Sequence, residues 1–522
     1  MTTTASRTAI TLSRFENQAL GLGRYAVDFM NGALGEPGTA ALDRTVMFFT
    51  DSMICGISAI AMGTNAPGVL RQEALAYEHA GGGGATILGS TTPVAPEKAL
   101  LANCAAVREW DANGTNFGYN PAAGHNAGEF GHNDFYPVAI AAAQVAGRDG
   151  ADALRAMLLL DEIRGRLAEV FSLKSYKIDH VVHGAIASAA TYGAMLGATP
   201  GQIESAIGMV VAHYIPWRAI RAGRQLSDSK GASAAISAEV AVLSMQRSMR
   251  GFAGPADILR NPEAIFRFFE NTPDDTSPFD LILTHSGDDF AIMGMHFKLG
   301  LYEHQSAGAL GGVIALLRQH PGLLASPDRI AAMKVLAYEP AFGIIGDPAK
   351  RDPRTRQSAD HSMLYIIATT VRKARELAGE YGPDVLGTDD EAWKKLMLVP
   401  MDYSRDAIMH PGTRAIMEKI TFDHGGPDYD AQYPDGIPTS VIITADDGEM
   451  YDSGLVMYPP GHARNTTADL RDLLDNKWMT LASLAVDEPQ EIIDRFNAVA
   501  TLPVAALASL NDFRIRQRGS FE

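Results

Sequence analysis

Fourteen consecutive residues, His183–Leu196 (HGAIASAATYGAML), contain no Asp, Glu, Lys or Arg and are rich in Ala and Gly. As a helix, such a segment has no charged face to offer water, so it belongs inside the molecule with neighbours packed closely on its small side chains. A chain that carries it needs other helices around it, and the flanking sequence supplies them. Ala151–Phe171 sets Leu154, Leu158, Ile163, Leu167 and Phe171 near one face, with Arg155, Asp161, Arg164 and Glu169 elsewhere around the helix. Thr199-Pro200 with Gln202 and Glu204 reads as the start of a helix through IESAIGMVVAHY, and Ala232–Met249 repeats the pattern up to Arg250-Gly251.

The character changes after about residue 275, where NTPDDTSP (271–278) forms a polar, turn-rich run. Met333–Leu336 and Ile420–Asp423 read as short strands. Ser440–Ala445 and Glu449–Met457 flank Asp446-Asp447-Gly448, a hairpin signal. Helical patterning persists at Ala307–Leu317 and His361–Lys373 and returns after Asn465, in Asp469–Leu481 and Glu488–Val499. The expected fold is mostly α with an α+β second domain. Residues 1–274 and 461–522 form a large all-helical domain, and residues 275–460 a smaller α+β lid. No internal repeat is visible. Gly81–Gly84 lacks the nearby GK[ST] of a phosphate loop and reads as a turn.

Charge and cysteine count narrow the chemistry. With 44 Lys+Arg against 61 Asp+Glu, the net charge of −17 argues against a nucleic-acid partner. Two cysteines, Cys55 and Cys104, cannot build a disulfide scaffold, a four-cysteine zinc site or an iron–sulfur cluster. The start of the chain lacks a basic region followed by an apolar run, and the apolar stretches fall short of the ~20 residues that span a bilayer. A soluble cytoplasmic protein is expected, with no membrane partner. The histidine pairs His125/His132 and His180/His183 make neither HExxH nor a site with cysteine, and no GxSxG elbow is present.

What remains is a set of polar residues embedded in apolar or Gly/Ala-rich sequence. Glu109-Trp110-Asp111 leads through Thr115 to His125 and His132, just before PVAIAAAQVAG. Asp179-His180 precedes the uncharged helix. Lys230 opens a small-residue helix, and Lys298 and His304 flank LGLYE before another. Arg356, Asp360, His361 and Tyr365 cluster in RQSADHSMLYIIA. Singly, each has an ordinary structural role to hand: a capping Asp, a core histidine, a snorkelling lysine. Gathered at the starts of Ala/Gly-rich helices, where backbone N–H groups favour anions, they point to a carboxylate ligand.

The order of these segments resembles the MmgE/PrpD family over about Asp43 to Lys477. DSMICGISAIAMG (51–63) is similar to its early helix and RGFAGPADIL (250–259) to its GFxGP turn. ADHSMLYIIA (359–368) and YPPGHARN (458–465) resemble segments of its 2-methylcitrate dehydratase branch. Other members are cis-aconitate decarboxylase and iminodisuccinate epimerase. The resemblance implies a helical domain with an α+β lid, a homodimer, and a cleft between the two domains. It implies no cofactor and no metal. Carried over by position, the family's site residues fall on Asp111, Thr115, His132 or His125, His180, Lys230, Lys298, His304 and Tyr365. One stretch departs from the family pattern: WDANGTNFGYNPAAGHNAGEFGHND (110–134) has Gly114 where an acidic residue is usual, and extra residues before His132. His132 is preferred over His125 because it runs directly into PVAIAAA.

With these residues, the resemblance implies a metal-independent hydro-lyase dehydrating 2-methylcitrate or a related citrate-type tricarboxylate; the ligand is expected to be a small di- or tricarboxylate. His132 and His180 are the acid/base pair, tuned by Asp111. Lys230, Lys298 and His304 hold carboxylates and the developing enolate-type charge, with Thr115, His125, Arg356 and His361 as further substrate contacts. Tyr365 donates to the leaving oxygen. Decarboxylation or epimerisation in the same pocket, and a non-catalytic scaffold of the same fold, are the competing readings.

Overall fold

The computed structural model describes residues 8–115, 119–121, 131–221, 225–346, 348–519 and 521. Every residue of helix Val181–Met195 is buried. Helices Gly150–Val170, Pro200–His213 and Asp228–Met249 pack around it. Its glycines allow the approach: a Cβ on Gly184 would lie 2.1 Å from the Phe135 ring, and one on Gly193 would lie 2.6 Å from Met245 Sδ. Helix Pro200–His213 starts where the sequence places it, with Gln202 N–H donating to Thr199 Oγ1 and Thr199 N–H to Gln202 Oε1. The GFAGP turn docks on the same helix, so tightly that a Cβ on Gly208 would meet the Pro255 carbonyl at 1.9 Å.

A four-stranded sheet forms the second unit, in the order Ile420–His424, Ile330–Ala337, Thr439–Ala445, Met450–Asp452. The first pair is parallel and the others antiparallel, with Val335 opposite Phe422 on one side and Val441 on the other. The hairpin turns at Asp446-Asp447-Gly448, where Gly448 has φ +86°. Helix Ala307–Gln319 lies against strand Thr439–Ala445 and helix Met363–Tyr381.

Strand Leu281–Thr284, inside the expected lid, pairs with Ala9–Leu12 and rests on helix Gly150–Val170. There Glu162 accepts the Thr284 and Ala291 N–H groups. The NTPDDTSP run is therefore a turn within the helical body, tied down by Ser277 Oγ donating to Gln18 Oε1 at 2.6 Å.

The chain end returns to the helical body. Helix Leu470–Ala485 packs on helix Thr39–Ala61, and the fully buried Lys477 Nζ donates to Asp51 and to the carbonyls of Ala112 and Lys298. Thr39–Ala61 is long and apolar enough to cross a membrane by length and composition alone, but 83% of its apolar window is buried in the fold.

Candidate active site

Helix Pro96–Arg108 ends in a turn that places Asp111 at φ +51°, a left-handed conformation that Asp tolerates better than most residues. The turn aims the Asp111 carboxylate into a buried cluster of cations. Arg108 and Lys298 donate to it directly, and Lys298 Nζ also donates to the Asp111 carbonyl at 2.7 Å. Lys230 Nζ lies 3.5 Å from Oδ2 and His361 Nε2 3.3 Å. Burial alone would raise this carboxyl, but Arg108, Lys298 and Lys230 outweigh burial and hold it well below the carboxylate range.

Helix Met363–Tyr381 is preceded by a short turn that brings in the second carboxylate. Asp360 accepts from Lys230 Nζ at 2.9 Å and lies 2.6 Å from His361 Nδ1. Burial, then the Lys230 ammonium, press His361 down to about 3 despite the two carboxylates beside it. Arg356, four residues upstream, donates to the Glu109 carbonyl and carboxylate.

Two further histidines face each other across the cavity, with ring centroids 5.4 Å apart. His180 stands at the start of the uncharged helix. Its Nε2 lies 3.3 Å from Arg221, which has only donors, so Nε2 accepts and the neutral ring carries its proton on Nδ1. Arg221 is otherwise committed to Asp179, gripped by Nε and a terminal nitrogen, and to Ser233. The His132 ring makes no hydrogen bond to a described residue, while its carbonyl accepts from Arg164. Burial lowers both imidazoles well below 6.5. Arg108 and Lys298 press His132 down further, whereas Asp179 works against the shift at His180. Both rings are therefore neutral at neutral pH.

Around this pair the cavity is walled by Arg108, Asp111, Arg218, Arg221, Glu303 and Lys350. A second cavity, ≈ 140 Å³ against ≈ 50 Å³, lies beside it between Tyr119, His296, Asp435, His462 and Arg464. Its Asp435 is tied by Tyr119, Tyr458 and Arg464. The smaller cavity holds the facing imidazoles His132 and His180 together with Asp111, Glu303 and His361, and the chemistry is assigned there. Among the described residues, no three His, Cys, Asp or Glu side chains come close enough to hold a metal ion.

The structure brings together seven of the residues singled out in the sequence: Asp111, His132, His180, Lys230, Lys298, Asp360 and His361. It moves others aside. Tyr365 lies apart: its ring is fully buried, its hydroxyl donates to the Asp402 carbonyl, and it does not line the cavity. Arg356 braces Glu109 instead of facing the cavity. Thr115 is a wall, its backbone bridging His132 on one side and His296 on the other. His304 stacks on His296 at 5.0 Å, which stacks on His462 at 3.9 Å. The YPPGHARN segment thus acts indirectly: a Cβ on Gly461 would lie 2.3 Å from the Phe297 carbonyl, and His462 steadies the segment leading to Lys298. His125 lies outside the described residues. Arg108, Arg218, Arg221, Glu303 and Lys350 were missed. Arg108 and Glu303 sit three and one residues from positions that were chosen, and the WRAIRAGR run (217–224) is a visible basic cluster.

Two family models match the chain. Residues 25–277 match the MmgE/PrpD N-terminal domain and residues 303–501 the MmgE/PrpD C-terminal domain. The chain belongs to the MmgE/PrpD family.

Proposed function

We propose that the protein is a lyase that removes water from a β-hydroxy di- or tricarboxylate of the 2-methylcitrate type, giving the unsaturated acid by side-chain acid/base chemistry. The observation that carries this reading is a pair of neutral imidazoles, His132 and His180, in a buried cavity walled by cations. A neutral imidazole can accept a proton. An anion entering the cavity offsets the arginines and lysines that press the ring pKa down, so substrate binding itself raises the basicity of His132. Arg108, Arg218 and Lys350 then face the carboxylate next to the carbon that loses its proton. There they stabilise the enolate-type charge as it develops.

Asp111 is not a proton carrier in this scheme. It is saturated by Arg108, Lys298 and Lys230, and its task is to hold those cations in place. A cytoplasmic homodimer with no further cofactor completes the proposal.

The test is to incubate the protein with 2-methylcitrate, citrate and cis-aconitate, following the ultraviolet absorbance of the unsaturated acid and the proton NMR spectrum. Dehydration of a hydroxy acid is expected, and His132→Ala should slow it by about 10²–10⁴-fold. Decarboxylation or epimerisation proceeds through the same kind of carbanion and gives a different NMR product. Either of those in place of dehydration overturns the hydro-lyase assignment. Turnover that His132→Ala leaves unchanged removes the imidazole mechanism.

A further inference from the structure

Among the carboxylates at the cavity and beside it, Asp111, Asp360 and Asp179 are locked. Asp111 is held by Arg108, Lys298 and Lys230. Asp360 is held by Lys230 and His361, and Asp179 by two nitrogens of Arg221. None of the three can take and give a proton without dismantling an ion pair. Glu303 is different. It lines the cavity, its residue is 8% exposed, and among the described residues it makes no ion pair. Its one side-chain hydrogen bond is local, Oε2 accepting the Gln305 N–H at 2.7 Å. Its own N–H is anchored on the Asp360 carbonyl at 2.8 Å, which fixes the carboxyl beside the charge cluster without neutralising it.

Resting on the dehydratase reading above, we infer that Glu303 is the general acid of this cavity and protonates the hydroxyl that leaves the substrate. His132 takes the proton from the carbon next to a carboxylate. That C–H electron pair becomes the C=C bond, the C–O bond breaks, and the departing hydroxyl takes the Glu303 proton and leaves as water. The cavity is left with an imidazolium and a carboxylate, and exchange with solvent returns each to its starting state. Net charge and atoms balance with no further reactant.

The surroundings suit the role. Burial, and then the Asp111 carboxylate, push Glu303 up to about 7, while Lys298 and Lys350 pull it down. From the other elements around the cavity, Arg108, Arg218, Arg221 and His361 face the same space. So do His132 and His180, and Tyr338 is near enough to feel the carboxylate. The imidazoles stay neutral well below pH 6.5, so the limb near neutrality belongs to the acid. Activity requires Glu303 protonated, and kcat/KM should fall as pH rises through about 7.

Glu303→Gln keeps the shape and the acceptor for Gln305 N–H but cannot give up a proton. It should lower dehydration by about 10²–10⁴-fold. Exchange of the carbon-bound proton with D2O, which needs only the base, should stay within about threefold, as should elimination of fluoride from the analogue bearing fluorine in place of the hydroxyl, since fluoride leaves without a proton. Glu303→Asp should retain part of the activity and the limb above neutrality. Dehydration by Glu303→Gln at the wild-type rate overturns the inference, as does a loss shared equally by hydroxyl and fluoride elimination. A wild type that eliminates neither group fails before Glu303 is altered. That result removes the dehydratase reading and this assignment together.

Discussion

Asp111 is the residue on which the cation cluster depends. It is buried with Lys298, which would be an uncompensated charge in a dry site without it, and with Arg108 and Lys230, which would keep Asp134 and Asp360. Breaking a buried pair by removing one partner costs about 3–5 kcal/mol, because the other charge remains buried. Asp111→Asn should lower unfolding stability in urea by that amount and abolish turnover. Lys298→Met combined with Asp111→Asn should cost less than the two single changes added together, since the double variant no longer buries that lysine unpaired. Strict additivity would show that Asp111 and Lys298 do not depend on each other. The sequence places Asp111, Lys230 and Lys298 in apolar or small-residue settings and so marks them as unusual. It could not say that they meet, because their contacts span separations of 3 to 187 residues. The same limit explains Tyr365. A tyrosine in an apolar helix reads as functional until its hydroxyl is seen to end on the Asp402 carbonyl.

The elements were more legible than the site, for reasons of periodicity. Helices Gly150–Val170 and Val181–Met195 follow from one apolar stripe and one uncharged run, and the hairpin at Asp446-Asp447-Gly448 from its turn chemistry. Strand Leu281–Thr284 was not legible. Four residues give no period to read, and the partner strand lies at the far end of the body, at Ala9–Leu12. Helix Val181–Met195 also reaches the site through its packing. Gly184 lies under the Phe135 ring, Arg164 stacks over that ring at 5.6 Å, and Arg164 holds the His132 carbonyl. Gly184→Ala should displace Phe135, cost about 1–3 kcal/mol by overpacking, and lower activity beyond what the stability loss explains. Wild-type kcat in that variant would separate the packing of this helix from the placement of His132.

At the scale of the whole molecule, seven described histidines are held below 6.5 by burial: His132, His180, His183, His296, His304, His361 and His462. Unfolding returns them to an ordinary value, so below about pH 6.5 the unfolded chain binds protons that the folded chain does not. Their contribution is intact above that value and is lost as pH falls toward the folded values, about 4 for His183 and His462 and about 3 for His361. Glu303, raised to about 7, acts in the opposite sense, as do Asp51, Asp134, Asp161 and Glu162, each held beside a lysine or arginine. Each uncompensated histidine contributes up to about 1.4 kcal/mol per pH unit. The urea midpoint should therefore be lower at about pH 5.5 than at about pH 7.5, with net proton uptake on unfolding. A midpoint that rises on acidification would show the carboxyls to dominate.

Lys477 adds a consequence in time. Its ammonium joins Asp51, Ala112 and Lys298, so the backbone on both sides of the cation cluster is fixed by a residue that follows the whole cluster in sequence. On the ribosome the chain emerges from its N-terminus, and every acid and base named here is translated before that lysine. A nascent chain that stops short of Lys477 holds all the reactive groups of the site but lacks the bond that closes the site around them.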